Sequence, residues 1–290
     1  MKNLIIFIFF FPFLSTAQNL LFLQDNVSGQ KEFVQKNNLD TYIIINQGQF
    51  VTNDLLDEDK LKKEINKRFP IASSNGYAVL DWEGKAMAAL VQQNDRSQLE
   101  LYIEQFIKAL QIAKRLRPNV KWAFYNVPNR FLSNISNSFK EKNYRLADII
   151  KCQDFLAPSM YILDPSSDTK ISNLKIIRSN IKLTLEMGLK YNKPVYPFIW
   201  QRVHPNNKMY NEQLVPISYF KDYIGEIMNT SFNGTKVSGL IWWQCENYYY
   251  LTRSKSKVYA REYANLKDRN RYQKDMFQQY YNSIKKYLNK

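Results

Sequence analysis

The segment NGYAVLDWE, residues 75–83, joins a short apolar run to two carboxylates. The apolar residues 77–80 follow a glycine, and a continuous run of this kind is typical of a strand buried in a parallel sheet. Because side chains alternate along a strand, Asp81 and Glu83 should share one face while Trp82 points to the other. Their Cα atoms should lie roughly 6.5–7 Å apart. The segment therefore predicts a buried strand that ends in a closely spaced acid pair.

Two carboxylates at this separation resist ionising together, so the pKa of one of them should rise toward neutrality. An acid and a base on one rigid element are what glycoside hydrolysis requires. The spacing leaves a second interpretation open, in which the strand simply ends in two solvated carboxylates.

Strand-like apolar runs alternate with helix-like runs along the chain. The predicted strands cover residues 20–23, 41–46, 77–81, 122–126, 155–163, 195–200 and 239–243. This alternation predicts an α/β protein with a parallel sheet. The number of units and the chain length favour a TIM-like (β/α) barrel of seven or eight strands, with allowance for distortion, over an open sheet. No glycine-rich phosphate loop follows a strand, which disfavours a dinucleotide-binding fold.

Two long helices are predicted with defined caps or apolar faces. Asp95 is placed to cap a long helix, whose apolar face consists of Leu99, Tyr102, Ile103, Phe106, Leu110 and Ala113. Residues 257–290 are predicted to be helical to the end of the chain. The inner stripe of that segment consists of Phe277, Tyr280, Tyr281, Ile284 and Leu288.

The N-terminus has the features of a secretory signal peptide. Lys2 precedes an almost unbroken apolar stretch over residues 4–14, and small residues follow at 15–17. The stretch is shorter than the roughly 20 apolar residues that span a bilayer. We therefore expect cleavage after Ala17, a single (β/α)-barrel catalytic domain over residues 18–290, and export to the periplasm or the extracellular space. No later segment predicts stable membrane insertion.

The charge balance is strongly basic and bears on the partners. The chain has 41 Lys and Arg against 26 Asp and Glu, a net charge of +15. An exported basic protein is suited to acidic polysaccharides, although general solubility explains the charge equally well. If the substrate is a polyanion, Lys and Arg should line the groove at the strand ends. The basic residues are dispersed, so a nucleic-acid partner is not predicted.

Histidine and cysteine are scarce, and this excludes several reaction types. His204 is the sole histidine and falls in a predicted loop before Pro205. One histidine argues against Ser–His and Cys–His catalysis, and with two cysteines it argues against a metal site. We therefore predict no metal and no cofactor. Cys152 and Cys245 leave one disulfide open.

In a (β/α) barrel, functional side chains lie where strands end and loops begin. Aromatic rings stack on the apolar faces of sugars, and convergent polar groups bind hydroxyls. With aromatic residues at 15% of the chain, core packing is the alternative for each ring. The candidates at the predicted strand ends are Asp81, Glu83, Tyr125, Asn126, Tyr161, Trp200, Trp243, Glu246 and Asn247.

Five segments, in chain order, carry a more specific pattern. They are GYAVLDWE (76–83), WAFYNVP (122–128), APSMY (157–161), PVYPF (194–198) and GLIWWQCEN (239–247). Together they resemble segments of the animal-type hyaluronidase family of glycoside hydrolases, of which this chain would be a distant, bacterial-looking member. The match is strongest in the Asp-Trp-Glu strand and the last strand.

The resemblance implies a secreted, retaining endo-β-N-acetylhexosaminidase that acts on an N-acetylated, acidic polysaccharide by substrate-assisted catalysis. In that mechanism the acetamido oxygen of the sugar attacks its own anomeric carbon. Glu83 would protonate the leaving oxygen and then activate water, while Asp81 would share the proton and stabilise the ring intermediate. Tyr161 would orient the acetamido group. Either Trp242 or Trp243 matches the tryptophan at the floor of the sugar site.

The chain departs from the family pattern at three places. Residues 84–87 read GKAM where the family has a Trp-Arg-Pro run, Phe198 replaces a second tyrosine of the site, and two cysteines cannot form the family's paired disulfides. Two alternatives therefore stay open. One is a substrate-assisted hydrolase of another N-acetylated glycan, such as chitin or peptidoglycan, and the other is a catalytically silent carbohydrate-binding barrel.

Overall fold

The computed structural model describes residues 19–24, 27–133 and 135–288. The predicted signal peptide, residues 1–17, lies outside the described residues. None of the helices in the described ranges is both long and apolar enough to cross a bilayer.

Strands and helices alternate as the sequence predicts. The strands are β1 (Asn19–Leu23), β2 (Asp40–Asn46), β3 (Val51–Thr52), β4 (Leu55–Leu56), β5 (Gly76–Asp81), β6 (Val120–Phe124), β7 (Phe198–Ile199), β8 (Ser231–Phe232), β9 (Thr235–Lys236) and β10 (Gly239–Trp242). The α-helices are α1 (Ser28–Lys36), α2 (Glu58–Arg68), α3 (Gly84–Gln92), α4 (Arg96–Leu116), α5 (Asn137–Tyr144), α6 (Ala147–Cys152), α7 (Lys170–Tyr191), α8 (Ile217–Asn229), α9 (Glu246–Leu251), α10 (Lys257–Tyr263) and α11 (Arg269–Ile284).

The main sheet is parallel and has the strand order β6-β5-β2-β1-β10-β7. Residues 154–160 close it into a barrel, because they bond to both edge strands. On one side the Asn126 backbone N–H donates to the Ala157 carbonyl at 2.8 Å, and on the other the Phe198 N–H donates to the Pro158 carbonyl at 2.9 Å. Pro158 has no N–H to donate, which explains why this seventh position forms isolated bridges rather than a regular strand. The predicted barrel fold is confirmed.

Strand alternation divides the core into two layers. One layer fills the barrel and includes Tyr42, Val79, Tyr125 and Trp200, while the other lies between the barrel and its helices. Trp82 belongs to the outer layer, where its ring stacks on Phe106 of α4 at 4.9 Å and 7°. Residues on either side of Trp82 along β5 therefore face the barrel interior.

The helix predictions are confirmed in one case and corrected in the other. Asp95 caps α4, with its side chain accepting from the Gln98 N–H at 3.1 Å. The C-terminal segment is not one helix, since it breaks between α10 and α11. Asp268 caps the second helix through the Arg271 N–H at 3.0 Å, and this restart allows α11 to turn its apolar stripe onto the barrel. The two thiols, Cys152 and Cys245, are both free.

Candidate active site

The acid pair lies at the carboxyl end of β5. Asp81 is half-buried and Glu83 is exposed at the mouth of the barrel, while Trp82 between them points outward. The Glu83 backbone N–H donates to the Gln47 side chain at 3.1 Å. Gly84 follows with φ +62°, a left-handed conformation that favours glycine. Chain direction therefore changes sharply just after Glu83, and α3 begins there.

The two carboxyls are held partly out of water, and this raises both pKa values. Burial, followed by the charge of Glu83, raises the pKa of Asp81 to about 7. Burial also raises the pKa of Glu83. The charge of Glu83 is one cause of the shift at Asp81, so the two carboxyls interact, and protonation of one favours ionisation of the other. The arrangement supplies one proton donor and one negative charge in the same place.

A cavity of about 420 Å³ opens over the acid pair, and we refer to it as the acid-pair cavity. Its lining residues are Ile44, Asp81, Glu83, Tyr125, Tyr161, Trp200, His204, Pro205, Asn206 and Trp243. The rings of Trp200 and Trp243 lie 4.7 Å apart, and those of Tyr161 and Trp243 5.7 Å apart. The cavity thus has an acidic side and a continuous aromatic side.

Several buried polar atoms at this end of the barrel have no hydrogen-bond partner among the described residues. They are the Tyr42 hydroxyl, Asp81 Oδ1 and Trp200 Nε1. Buried polar groups in native proteins are almost always paired, so these atoms are available to bond water or a polar ligand. Tyr125 differs, because its hydroxyl donates to Ser159 Oγ at 2.9 Å.

Six of the sequence candidates line the acid-pair cavity together: Asp81, Glu83, Tyr125, Tyr161, Trp200 and Trp243. Trp242 does not join them. Its ring lies in the outer core, 5.6 Å from the Phe22 ring, and its Nε1 donates to Gln201 Oε1 at 2.7 Å. Alternation along β10 sends adjacent side chains to opposite faces. Trp243 is therefore the tryptophan available to a ligand, and Trp242 is withdrawn from the candidates.

Asn126 shapes a turn rather than the cavity. It has φ +56°, and its Oδ1 accepts from the Arg130 N–H at 3.2 Å and the Ser159 N–H at 3.4 Å. Asparagine tolerates this left-handed conformation better than most residues. The structure therefore does not bring Asn126 into the described cavity lining with the other candidates.

Glu246 and Asn247 also lie away from the acid-pair cavity. Glu246 is fully buried, and its Oε1 accepts from Arg202 Nε at 2.6 Å and from Gln201 at 2.7 Å. Asn247 Oδ1 accepts from Arg269 at 3.1 Å. Both side chains are already used in internal contacts, which corrects their prediction as ligand-binding residues.

The buried ion pair of Arg202 and Glu246 predicts a measurable loss of stability on substitution. Glu246→Gln leaves a buried guanidinium undercompensated, at a cost of about 3 kcal/mol. Glu262→Gln is the matched control, because Glu262 bonds the same guanidinium but its side chain is 16% exposed against 0% for Glu246. Urea unfolding should give the larger loss for Glu246→Gln, and equal midpoints for the two variants would contradict this ranking.

Four residues of the cavity lining were not among the predicted site residues. Ile44 faces inward from β2, and His204 with residues 205–206 comes from the loop after β7. The His204 ring lies 5.9 Å from the Tyr161 ring at 26°. The only sequence signal for this histidine is its position four residues after Trp200, on a loop that leaves the correct end of a strand.

The described lining of the acid-pair cavity contains no Lys or Arg. The predicted basic lining is therefore absent from the cavity itself. No group of three His, Cys, Asp or Glu side chains in the described ranges is placed to hold a metal ion.

Volume alone does not identify the site. A larger groove of about 650 Å³ runs along α11, with Ile217, Tyr272 and Met276 in its lining. Two of its charged residues, Arg271 and Asp275, pair with each other at 3.7 Å and are exposed. Perturbed carboxyls and unpaired buried polar atoms occur at the smaller cavity, which makes that cavity the candidate active site.

The chain is similar in fold to bee venom hyaluronidase. A monoclinic crystal structure of that protein matches with a TM-score of 0.63 and 15% sequence identity, over 86% of this chain and 97% of the other. Its complex with a hyaluronic acid tetramer matches with a TM-score of 0.62 and 15% identity, over 86% and 96%. No protein-family model matches the chain. At the level of fold, the resemblance to the hyaluronidase family is confirmed over most of the chain.

Proposed function

We propose that this protein is an exported, retaining endo-β-N-acetylhexosaminidase that hydrolyses an N-acetylated polysaccharide by substrate-assisted catalysis. The observation that carries the proposal is the pair of Asp81 and Glu83, two residues apart on one strand end, in an aromatic-lined cavity of a barrel similar in fold to a hyaluronidase. Export rests on the predicted signal peptide.

The position of the two acids favours a nucleophile supplied by the substrate. Retaining enzymes with a protein nucleophile, and inverting enzymes, place their two carboxyls on either side of the scissile bond. Here both come from one end of β5, and they are the sole carboxylates in the described lining. An acetamido oxygen at the neighbouring carbon of the sugar supplies the missing nucleophile, which gives a cyclic intermediate and net retention.

Five of the lining residues have a proposed role. Glu83 is exposed at the mouth, where it meets the leaving oxygen and afterwards the attacking water. Asp81 lies deeper, so its negative charge stabilises the positive intermediate once the shared proton has left. The Tyr161 hydroxyl orients the acetamido group. Trp243, backed by the buried Trp200 ring, forms the aromatic wall against which the sugar ring packs.

The lining also bears on which sugar enters. A uronate carboxylate would meet two acids and no described cation in the acid-pair cavity, so the sugar bound there is the uncharged N-acetylhexosamine. In an acidic polymer the charged sugars would bind outside, where the net charge of +15 attracts them. The cation-free lining favours a neutral glycan of the chitin type as the alternative substrate.

Reducing-end release from hyaluronan, chondroitin, chitin fragments and peptidoglycan tests the proposal. We expect release from at least one of these polymers by the wild type and none by Glu83→Gln. Binding without release by the wild type would favour a silent carbohydrate-binding barrel. If the wild type neither binds nor cleaves any of these polymers, the proposal is overturned.

Salt dependence separates the two substrate classes. If the substrate is a polyanion, affinity of the Glu83→Gln protein for hyaluronan should fall between low and physiological salt, because exposed charges are screened beyond about 8 Å at physiological ionic strength. Neutral chitin fragments of equal length are the control and should bind with little change. Tight, salt-insensitive binding of chitin fragments alone would overturn the acidic substrate and leave the mechanism standing.

A further inference from the structure

The loop that follows β7 brings one unassigned polar side chain into the acid-pair cavity. His204 lines the cavity, half-buried, and its ring lies roughly parallel to Tyr161 with centroids 5.9 Å apart. It stands beside the tyrosine assigned to the acetamido group. A substrate that contacts Tyr161 therefore passes within reach of this imidazole.

The loop is held in place by its own hydrogen bonds. The His204 N–H donates to the Ile162 carbonyl at 2.8 Å, which ties the loop to the segment that carries Tyr161. Asn207 Nδ2 donates to the Leu163 carbonyl at 2.8 Å. An antiparallel bridge between Arg202 and Leu214 closes the base of the loop. These contacts fix the position of His204 before any ligand binds.

Hydrogen bonding also fixes which ring nitrogen carries the proton. His204 Nδ1 accepts from the Asn206 backbone N–H at 3.2 Å. In a neutral imidazole the other nitrogen, Nε2, must then be the donor. No described residue bonds to Nε2, so this donor is free for a ligand.

The surroundings keep the ring neutral. Burial, followed by the positive charge of Arg130, lowers the pKa of His204. The Arg130 guanidinium is not part of the described cavity lining, and it donates to the Tyr161 carbonyl and to the Tyr223 hydroxyl. The acids Asp81 and Glu83 line the same cavity and act in the opposite sense. Above mildly acidic pH the imidazole is therefore a neutral donor.

We propose that His204 is a substrate-binding residue whose Nε2–H donates to an oxygen of the sugar packed against Tyr161. The proposal rests on the glycosidase function above and adds a contact to it. A neutral donor suits a hydroxyl or an amide carbonyl, the oxygens that an N-acetylhexosamine presents.

Two variants at this position separate donation from ring packing. His204→Phe keeps a ring against Tyr161 and removes the donor, so KM should rise roughly threefold to tenfold with a smaller change in kcat. His204→Gln places an amide N–H near the position of Nε2 and should restore most of the affinity. Equal KM values for the wild type and His204→Phe would overturn the proposal. If the wild type hydrolyses no polymer, the glycosidase function itself fails. That result differs from an active wild type whose KM is unchanged by His204→Phe, in which only the His204 contact fails.

Nitrogen NMR of the imidazole gives a second readout that a purely structural role would not move. Because the chain has a single histidine, a ¹⁵N-labelled protein without a histidine tag reports on His204 alone. We expect a protonated Nε2 and an unprotonated Nδ1 in the free protein. Adding an N-acetylglucosamine tetramer to Glu83→Gln should shift the Nε2 signal. A proton on Nδ1, or an Nε2 signal unchanged by glycan that binds elsewhere, would contradict the assignment.

Discussion

Replacing Glu83 with Gln is expected to slow glycan hydrolysis by about 10²–10⁴-fold while fold and glycan affinity are kept. The amide has the shape of the carboxyl but cannot donate a proton to the leaving oxygen or take one from water. Glu83 is exposed at the cavity mouth, so little packing changes. Initial rates of reducing-end release at saturating substrate measure the effect.

The matched control for this prediction is Glu100→Gln. Glu100 is an exposed acid on α4 that pairs with Arg96 at the surface, at 2.7 Å. The control should retain wild-type rates, since Glu100 is not part of the described cavity lining. Turnover by Glu83→Gln within a fewfold of the control would contradict the assignment of Glu83 as the acid.

Asp81→Asn should also cost activity and should shift the pH–rate profile. The alkaline limb reports loss of the proton shared by the pair, and it should fall near pH 7 because the pKa of Asp81 is raised to about 7. Removing the Asp81 charge lowers the proton affinity of Glu83, so this limb should move to lower pH. A variant profile that superimposes on the wild type would show that the two carboxyls do not share a proton.

The same substitution should change how stability depends on pH. The pKa of Asp81 is raised in the folded state, so its contribution to stability is complete below about pH 4 and is lost as pH rises toward 7. The free energy of unfolding of the wild type should fall, relative to Asp81→Asn, by up to about 1.4 kcal/mol per pH unit across this range. Parallel curves for the two proteins from pH 4 to 7, measured by urea unfolding, would contradict the burial of this carboxyl.

An Asp81→Asn variant with lower activity, and with a free energy of unfolding that depends less on pH, would show that the acid pair serves chemistry rather than stability. Half-burial of Asp81 with one oxygen unpaired is costly in a protein that needs only a fold. Functional sites commonly carry such costs. The Asp81 variant therefore tests function and fold with one change.

The sequence predicted the barrel and the acid pair well because both depend on local periodicity. Alternation along β5 placed Asp81 and Glu83 on one face and Trp82 on the other, and the structure has them so. The seven predicted strands correspond to the seven positions around the barrel. The position at residues 154–160 forms isolated bridges instead of a strand, because Pro158 interrupts its hydrogen bonding.

The last strand shows where periodicity fails. Residues 239–242 are apolar and buried on both faces, so no polar alternation distinguishes the inward Trp243 from the outward Trp242. A shift of one residue reverses every side chain of a strand. The choice between the two tryptophans required the register of β10 against β1.

Contacts between residues far apart in the chain could not be predicted from the sequence either. Glu246 looked like a ligand-binding acid after a strand, yet Arg202, more than 40 residues earlier, holds it in a buried ion pair. His204 was not predicted as a site residue, yet it lies against Tyr161 in the cavity. A backbone hydrogen bond to Ile162 holds its loop there. Neither contact has a local signature, because both depend on which strands become neighbours in the barrel.

The anomeric form of the first product tests the central claim most directly. Proton NMR, recorded while the wild type cleaves an N-acetylated β-linked oligosaccharide, distinguishes the newly formed reducing end before it mutarotates. The account predicts that the β-anomer appears first, as retention by the substrate's own acetamido group requires, and that Glu83→Gln gives no product in the same time. Initial release of the α-anomer, or the same product from Glu83→Gln at the wild-type rate, would contradict it.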